Sequence, residues 1–243
     1  MKKSKFYNIV FIFIILLGAF IFIDQYSRKN QISNFIVDLK CDDLIFFYKN
    51  KKGEKIKSLG NLKKHIKQIY NRELVFGMNA GMYMENNIPL GLSIIDGEII
   101  SPINRYIPQK NITNFYLKPN GIFYLTNNNE AIICKTEKFK FNNVKYATQS
   151  GPLLLINGEI NPIFKQDSDN LNIRNGVGIL DNNKVVFAIS EYKINFYEFA
   201  EYFKKIGCKD ALFLDGYVSQ AYIPSKNLFQ TGGDFGVMIG IIK

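Results

Sequence analysis

Histidine occurs once in these 243 residues and cysteine three times. The lone His65, in LKKHIKQI, falls on the polar side of a helical stretch, so neither a Ser-His-Asp triad nor a multi-histidine zinc site can be built unless His65 itself is central. Acid and base chemistry therefore falls to carboxylates. Cys41, Cys134 and Cys208 form no CxxC or Cys/His pattern, and an odd count outside the cytoplasm allows at most one internal disulfide, with no pair favoured. No cofactor is expected. Asp167 and Asp169 in KQDSDNL lack the Gly and the distal Glu of a calcium loop, which reads as a solvated acidic turn and leaves Ca²⁺ open.

Charge of one sign is in short supply too. The formal charge is +10, but five basic residues against Asp24 give the first 30 residues +4, leaving +6 for the rest. The remaining lysines are dispersed (Lys51, Lys52; Lys63, Lys64, Lys67; Lys204, Lys205) and the aromatics sit in strand-like runs, so nucleic acid is not expected as a partner. Solvated faces, or a surface near anionic lipid or an anionic envelope polymer, account for these lysines.

What the chain does have is one long apolar run. Phe6 to Ile23 is uncharged over 18 positions. As a helix it spans about 27 Å, close to the bilayer hydrocarbon thickness. The basic MKKSK flank keeps that end in the cytoplasm, which predicts a single-pass inner-membrane anchor with the following domain on the periplasmic or extracellular side. A cleaved signal peptide, giving a secreted protein, is the rival reading, but the Asp-Gln-Tyr-Ser after Ile23 is not an A-x-A type site. The expected organisation is residues 1–30 as flank and transmembrane helix and residues 31–243 as one domain, with 47% hydrophobic residues sufficing for one core.

Turn chemistry points to an α+β fold of mostly antiparallel or mixed sheets with a few packed helices. IIDGEII (94–100) and LINGEI (155–160) place Asp-Gly and Asn-Gly between apolar runs, the strongest short-range hairpin signal. KPNG, TNNN and DNNK separate further β-rich runs: NFYL, IFYL, AIICK, GVGIL and VVFAIS. Two stretches read as helices. Asn61–Tyr70 carries Leu62, Ile66 and Ile69 behind a capping Asn, and Asn195-Phe-Tyr-Glu198 is a capping box before an apolar face of Phe196, Phe199, Ala200, Phe203 and Ile206, ended by Gly207. The near-identical IIDGEIISP and LINGEINP hairpins suit either an internal duplication or recurrence of common turn chemistry.

Polar residues break the β-rich runs at five Gly-containing places. They are Asn79 in VFGMNAGMY, Gln149-Ser150 in YATQSGPLLL, Arg174-Asn175 in NIRNGVGIL, Glu191 in VVFAISEYKINF, and Asp215 to Ser219 in FLDGYVSQAY. Asn79 also suits a left-handed turn and Arg174 a surface ion pair. Glu191 and Asp215 each end an apolar strand, where a bare carboxylate is costly to bury without a cap or an ion-pair partner. Two carboxylates and a fixed guanidinium suit cleavage at an anomeric carbon bearing phosphate. The arginine binds phosphate in a fork, and a carboxylate positions water or attacks.

NAGMY, YATQSGPLLLINGEINP, RNGVGI, FAISE with its following NFxEFAxxF helix, and ALFLDG-x-x-S occur in a consistent order from about Leu74 to the C-terminus. Together they resemble the bacterial branch of the phosphodiester glycosidase family. The resemblance implies an α+β hydrolase domain whose pocket holds Asn79, Gly81, Arg174, Asn175, Glu191, Asp215, Gly216 and Ser219. The better-known branch favours a glycine-rich DGGGS-like turn and an NGGF-type motif, where this chain has Asp215-Gly216-Tyr217-Val218-Ser219 and NAGMY. The implied function is an envelope hydrolase cleaving sugar-1-phosphodiesters in a surface polysaccharide or glycoconjugate. Asp215, Glu191 and Arg174 would be catalytic, with Asn79, Gly81, Gln149, Ser150, Asn175, Gly216 and Ser219 binding substrate. The alternative is a non-catalytic protein of the envelope that binds anionic glycan or serves assembly.

Overall fold

Both Gly-containing hairpins form, and for the reason the sequence offers. Asp96 and Gly97 have φ of 49° and 82°, and Asn157 and Gly158 of 51° and 83°. That left-handed pair matches the twist of two strands joined by a two-residue turn. A computed structural model describes residues 32–110, 112–215 and 217–243, and Ser33–Lys243 pack as one unit. The expected anchor at Phe6 to Ile23 and the pocket residue Gly216 lie outside the described residues. Among the described residues no helix is long and apolar enough to cross a membrane.

Three sheets carry the fold. The first runs Ile32–Asp38, Lys184–Ser190, Asn175–Leu180, Asp210–Asp215, Leu153–Ile156, Glu159–Ile160, antiparallel from its second strand onward. The second runs Leu228–Phe229, Ala221–Ile223, Leu74–Asn79, Met238–Ile242, Leu44–Phe47, and is antiparallel throughout. The third, also antiparallel, runs Glu98–Ser101, Ser93–Ile95, Val144–Ser150, Gly121–Thr126, Ala131–Lys135. One hairpin thus lies at an edge of the third sheet and the other at an edge of the first.

A single apolar cluster fills the space among the sheets. The first sheet contributes Val177, Phe187, Ile189, Leu212 and Leu214, the second Phe46, Phe76, Met78 and Ile239, the third Phe123, Leu125 and Tyr146. Alternation along each strand sends these side chains inward and leaves the opposite face to the helices or to solvent. The strands predicted at IFYL, AIICK, GVGIL and VVFAIS are all present. NFYL is not a strand. Asn114–Tyr116 is one turn of 3-10 helix that buries Phe115, showing that aromatic β-propensity reports a wish for burial more than a backbone shape.

Two helices close the outer faces. Helix α1, Leu59–Tyr70, begins two residues earlier than its periodicity suggests, because Ser58 rather than Asn61 caps it, accepting from the Asn61 N–H at 3.1 Å. Its buried face is Leu59, Leu62 and Ile66, and Ile69 is 40% exposed. Helix α2, Phe196–Lys205, has the full capping box: Asn195 Oδ1 accepts from the Glu198 N–H at 2.9 Å, and Glu198 Oε2 accepts from the Asn195 N–H at 3.0 Å. Phe196, Phe199, Ala200 and Phe203 are buried beneath it, while Ile206 is the C-cap. Cys41, Cys134 and Cys208 are free thiols.

Asn195 also donates to the Gln166 carbonyl at 2.9 Å, so it ties the start of α2 to the loop before the Asn175–Leu180 strand. Asn195→Ala is expected to lower stability by about 1–2 kcal/mol, measured by urea unfolding with an unchanged m-value.

Candidate active site

The strand Asp210–Asp215 ends in a bulge. Asn175 faces Asp215 but Gly176 faces Phe213, so Leu214 is an extra residue in the ladder with the Asn175–Leu180 strand. Bulges re-aim the side chain that follows. The Leu214 carbonyl freed by the bulge accepts a hydrogen bond from Ser150 Oγ at 2.7 Å. Asp215 is then 5% exposed and turns toward the second sheet.

Two buried amides receive it there. Asn79, at the end of Leu74–Asn79, donates through Nδ2 to Asp215 Oδ2 at 3.2 Å. Asn175 accepts the Asp215 N–H at 2.7 Å and donates through Nδ2 to Asn79 O and Oδ1 at 2.8 and 3.0 Å. Asn79 Oδ1 also accepts the Gln220 N–H at 2.9 Å. The turn after the carboxylate closes on it: the Tyr217 N–H donates to Asp215 Oδ1 at 3.2 Å, and Ser219 Oγ donates to the Asp215 carbonyl. Asn79, Asn175, Asp215 and Ser219 are thus brought together where the first and second sheets meet.

Two residues beside this cluster were not singled out from sequence. Tyr83, in the NAGMY motif, has its hydroxyl pKa raised by burial and by the charges of Asp215 and Asp234, so it stays a neutral O–H donor at physiological pH. Gln220 has a buried Oε1 without a hydrogen-bond partner among the described residues. The only sequence signal for either was its place within a motif already marked for another residue.

The other expected site residues take different positions. Gln149 is saturated inside the protein: Oε1 accepts from the Leu92 and Asn104 N–H groups at 2.9 and 2.8 Å, and Nε2 donates to Asn104 O and Thr136 Oγ1. It clamps the loop at Leu92 and Asn104, and Ser150 likewise serves the bulge. Gly81 has φ of 134°, and a Cβ there would lie 2.6 Å from Thr148 Oγ1, so packing requires the glycine. Glu191 is exposed and accepts from Ser33 Oγ at 2.6 Å. Ser33 lies on the far side of Lys184–Ser190 from Asp215. The structure therefore does not pair Glu191 with Asp215.

Arg174 is fully buried, and its fork faces inward. Nε donates to Ile194 O at 2.8 Å, Nη2 to Asn170 O at 2.6 Å, and the guanidinium carbon lies 3.7 Å from the Phe196 ring centroid. Burial lowers its pKa to about 10 against an opposing effect of the Glu198 charge, so it remains a cation at neutral pH. Nη1 alone has no partner among the described residues. The Asp167–Asp169 turn belongs to the loop that covers this arginine, and among the described residues no group of three His, Cys, Asp or Glu gathers to hold a metal.

Comparison with known proteins adds context to this geometry. The profile described as phosphodiester glycosidase matches residues 72–236. The uncharacterized protein YigE of Escherichia coli (strain K12) is 37% identical over 153 residues, 62% of this chain; the match spans 59% of that protein's length. The catalytic domain of zebrafish N-acetylglucosamine-1-phosphodiester alpha-N-acetylglucosaminidase, auto-inhibited by its pro-peptide, has a similar fold, with TM-score 0.58 and 14% identity over 87% of this chain and 83% of that one. A hypothetical protein from Synechocystis gives TM-score 0.55 at 14% identity, covering 87% of this chain and 59% of that one.

Ser150→Ala leaves the buried Leu214 carbonyl unpaired and is expected to cost about 1–3 kcal/mol. Urea unfolding measures this. A substrate-contacting Ser150 would instead raise KM with stability intact.

Proposed function

The chain belongs to the phosphodiester glycosidase family, and from that premise we propose that it hydrolyses the glycosidic bond of sugar-1-phosphodiesters, with Asp215 as the carboxylate acting at the anomeric carbon. The observation that carries the proposal is the buried Asp215 carboxylate, held in one orientation by Asn79 and the Tyr217 N–H at a junction of two sheets. A carboxylate fixed in this way has no reorganisation to undergo as positive charge develops at C1.

Hydrolysis adds the oxygen of water to C1 and sends the bonding pair of the C1–O bond to the phosphate oxygen. A departing phosphate monoester is a weak base, so it needs little protonation. One carboxylate then suffices, either taking the water's proton or attacking C1 itself. This frees the mechanism from Glu191. Asn79, Asn175 and Ser219 keep Asp215 in place, and the neutral Tyr83 hydroxyl supplies a hydrogen bond to a sugar or phosphate oxygen. Arg174, next to Asn175 at the same end of the sheet, is fully buried and acts as a positioning residue, tying the start of that strand to the Ile194 and Asn170 carbonyls rather than touching phosphate. The substrate class is a surface polysaccharide or related glycoconjugate, reached from an inner-membrane anchor at Phe6 to Ile23.

Asp215→Asn is expected to lower the turnover of a sugar-1-phosphodiester at least about 100-fold, and because the amide NH2 then faces either Asn79 Nδ2 or the Tyr217 N–H, to lower stability by about 1–3 kcal/mol while the protein stays folded. Equal turnover in the variant removes Asp215 from the mechanism. In oxygen-18 water the label is expected in the released sugar, whereas label in phosphate would indicate P–O cleavage of the nuclease type. Saturable binding by calorimetry, with every ligand recovered intact by mass spectrometry, would favour the non-catalytic glycan-binding alternative.

A further inference from the structure

Residues 49–73 hold nine lysines and arginines against Glu54 and Glu73, a net +7, whereas residues 31–243 as a whole carry +6. All the net positive charge outside the first 30 residues is therefore concentrated in one segment. The fold gathers that segment onto one side: Lys49 and Lys55 form a β-bridge, Asn61 Nδ2 donates to Ile56 O at 3.0 Å, and α1 packs behind them. Lys63, Lys64 and Lys67 share the outer face of α1, opposite its buried Leu59, Leu62 and Ile66.

A groove of about 600 Å³ runs along that face between Ser58, Gly60, Asn61, Lys63, Lys64 and Thr231. Lys67 closes one end in a 2.8 Å ion pair with Glu73, while among the described residues Lys63 and Lys64 make no ion pair. Backbone contacts link the wall of the groove to the residues that hold the carboxylate. The Gly60 N–H donates to Thr231 O at 2.8 Å, a Cβ at the next residue, Gly232, would lie 3.3 Å from the Gln220 side chain, and the Gln220 N–H holds Asn79.

We propose that this lysine-lined groove is an auxiliary docking site for a linear phosphate-bearing glycan chain, which it delivers to Asp215. The surface is recessed, which suits an extended chain better than a flat bilayer. Among the described residues no aromatic lines the groove, so it offers no ring for bases to stack on, and regularly spaced backbone charge is what its lysines recognise. The proposal deepens the hydrolase reading and rests on it for the fate of the chain, but docking is measured separately from cleavage.

The test uses the full-length chain, its Lys63→Glu/Lys64→Glu variant and the milder Lys63→Gln/Lys64→Gln, with fluorescein-labelled poly(glycerol phosphate) followed by anisotropy. The expected result is a loss of polymer affinity of about 10-fold or more in the Glu variant and a smaller loss in the Gln variant. Wild-type binding should weaken steeply with salt, as counterion release requires. Turnover of a methyl sugar-1-phosphodiester should stay within about 2-fold, because neither lysine touches Asp215. Unchanged polymer affinity in both variants overturns the proposal. So does wild-type binding to vesicles of 30% phosphatidylglycerol without binding to polymer, or tighter binding to single-stranded DNA of equal charge. Polymer binding that depends on Lys63 and Lys64, together with no release of sugar from the methyl sugar-1-phosphodiester, would uphold the docking site and count against the hydrolase reading instead.

Discussion

The active end of the molecule depends on a carboxylate that is buried and must be paid for in hydrogen bonds. The Asp215 carboxylate accepts from Asn79 Nδ2 and the Tyr217 N–H, its backbone N–H donates to Asn175 Oδ1, and the two amides, which belong to different sheets, bind each other through Asn175 Nδ2 to Asn79 Oδ1. Each bond left unmade in such a place costs about 1–3 kcal/mol, and removing one amide leaves several groups unpaired at once. The sheets are therefore locked together at this point, and the same lock fixes the direction of the carboxylate. Stability and preorganisation are one constraint here.

The third sheet enters this arrangement through backbone. Ser150 pairs the Leu214 carbonyl that the bulge exposes, and Thr148 Oγ1 donates to the Ala80 carbonyl at 2.6 Å, next to the residue that carries the amide lock. Gln149, between them, holds the loop at Leu92 and Asn104. Three consecutive polar residues on one buried strand thus support three different segments.

These supports explain what could and could not be read in the sequence. Hairpins, the α2 capping box and most strands are local, and Asp-Gly, Asn-Gly, Asn-x-x-Glu and apolar alternation carry their own physical cause. Asp215, Asn79 and Asn175 were legible because a polar group ending an apolar run has to be satisfied by something. Whether that something is a ligand or the protein itself is tertiary information. Gln149 and Ser150 have the same sequence appearance as pocket residues, but their partners lie 13 to 64 residues away. For Glu191 the missing fact was lateral direction: it ends a strand at the same end of the sheet, yet its carboxylate goes to the edge strand at Ser33. Ser58 took the α1 cap from Asn61, a little under one helical turn later, because a cap is decided by where the chain first turns helical, and the apolar period does not locate that residue.

The turn that departs most from the better-known branch illustrates how a substitution can alter a rim without altering a centre. Tyr217 stands where glycine would, yet its side chain is 94% exposed, and what the turn supplies to the carboxylate is the Tyr217 N–H, which every residue but proline carries. Val218 is half-buried and packs against the apolar cluster that includes Phe47 and Tyr222. The bulk added beside Asp215 therefore goes into solvent on one side and into the core on the other, and the hydrogen bonds that orient the carboxylate do not depend on it. Such a turn can change without disturbing the carboxylate, because Asp215 is oriented by backbone and buried amides and the turn's exposed side chain is left to set what approaches from outside.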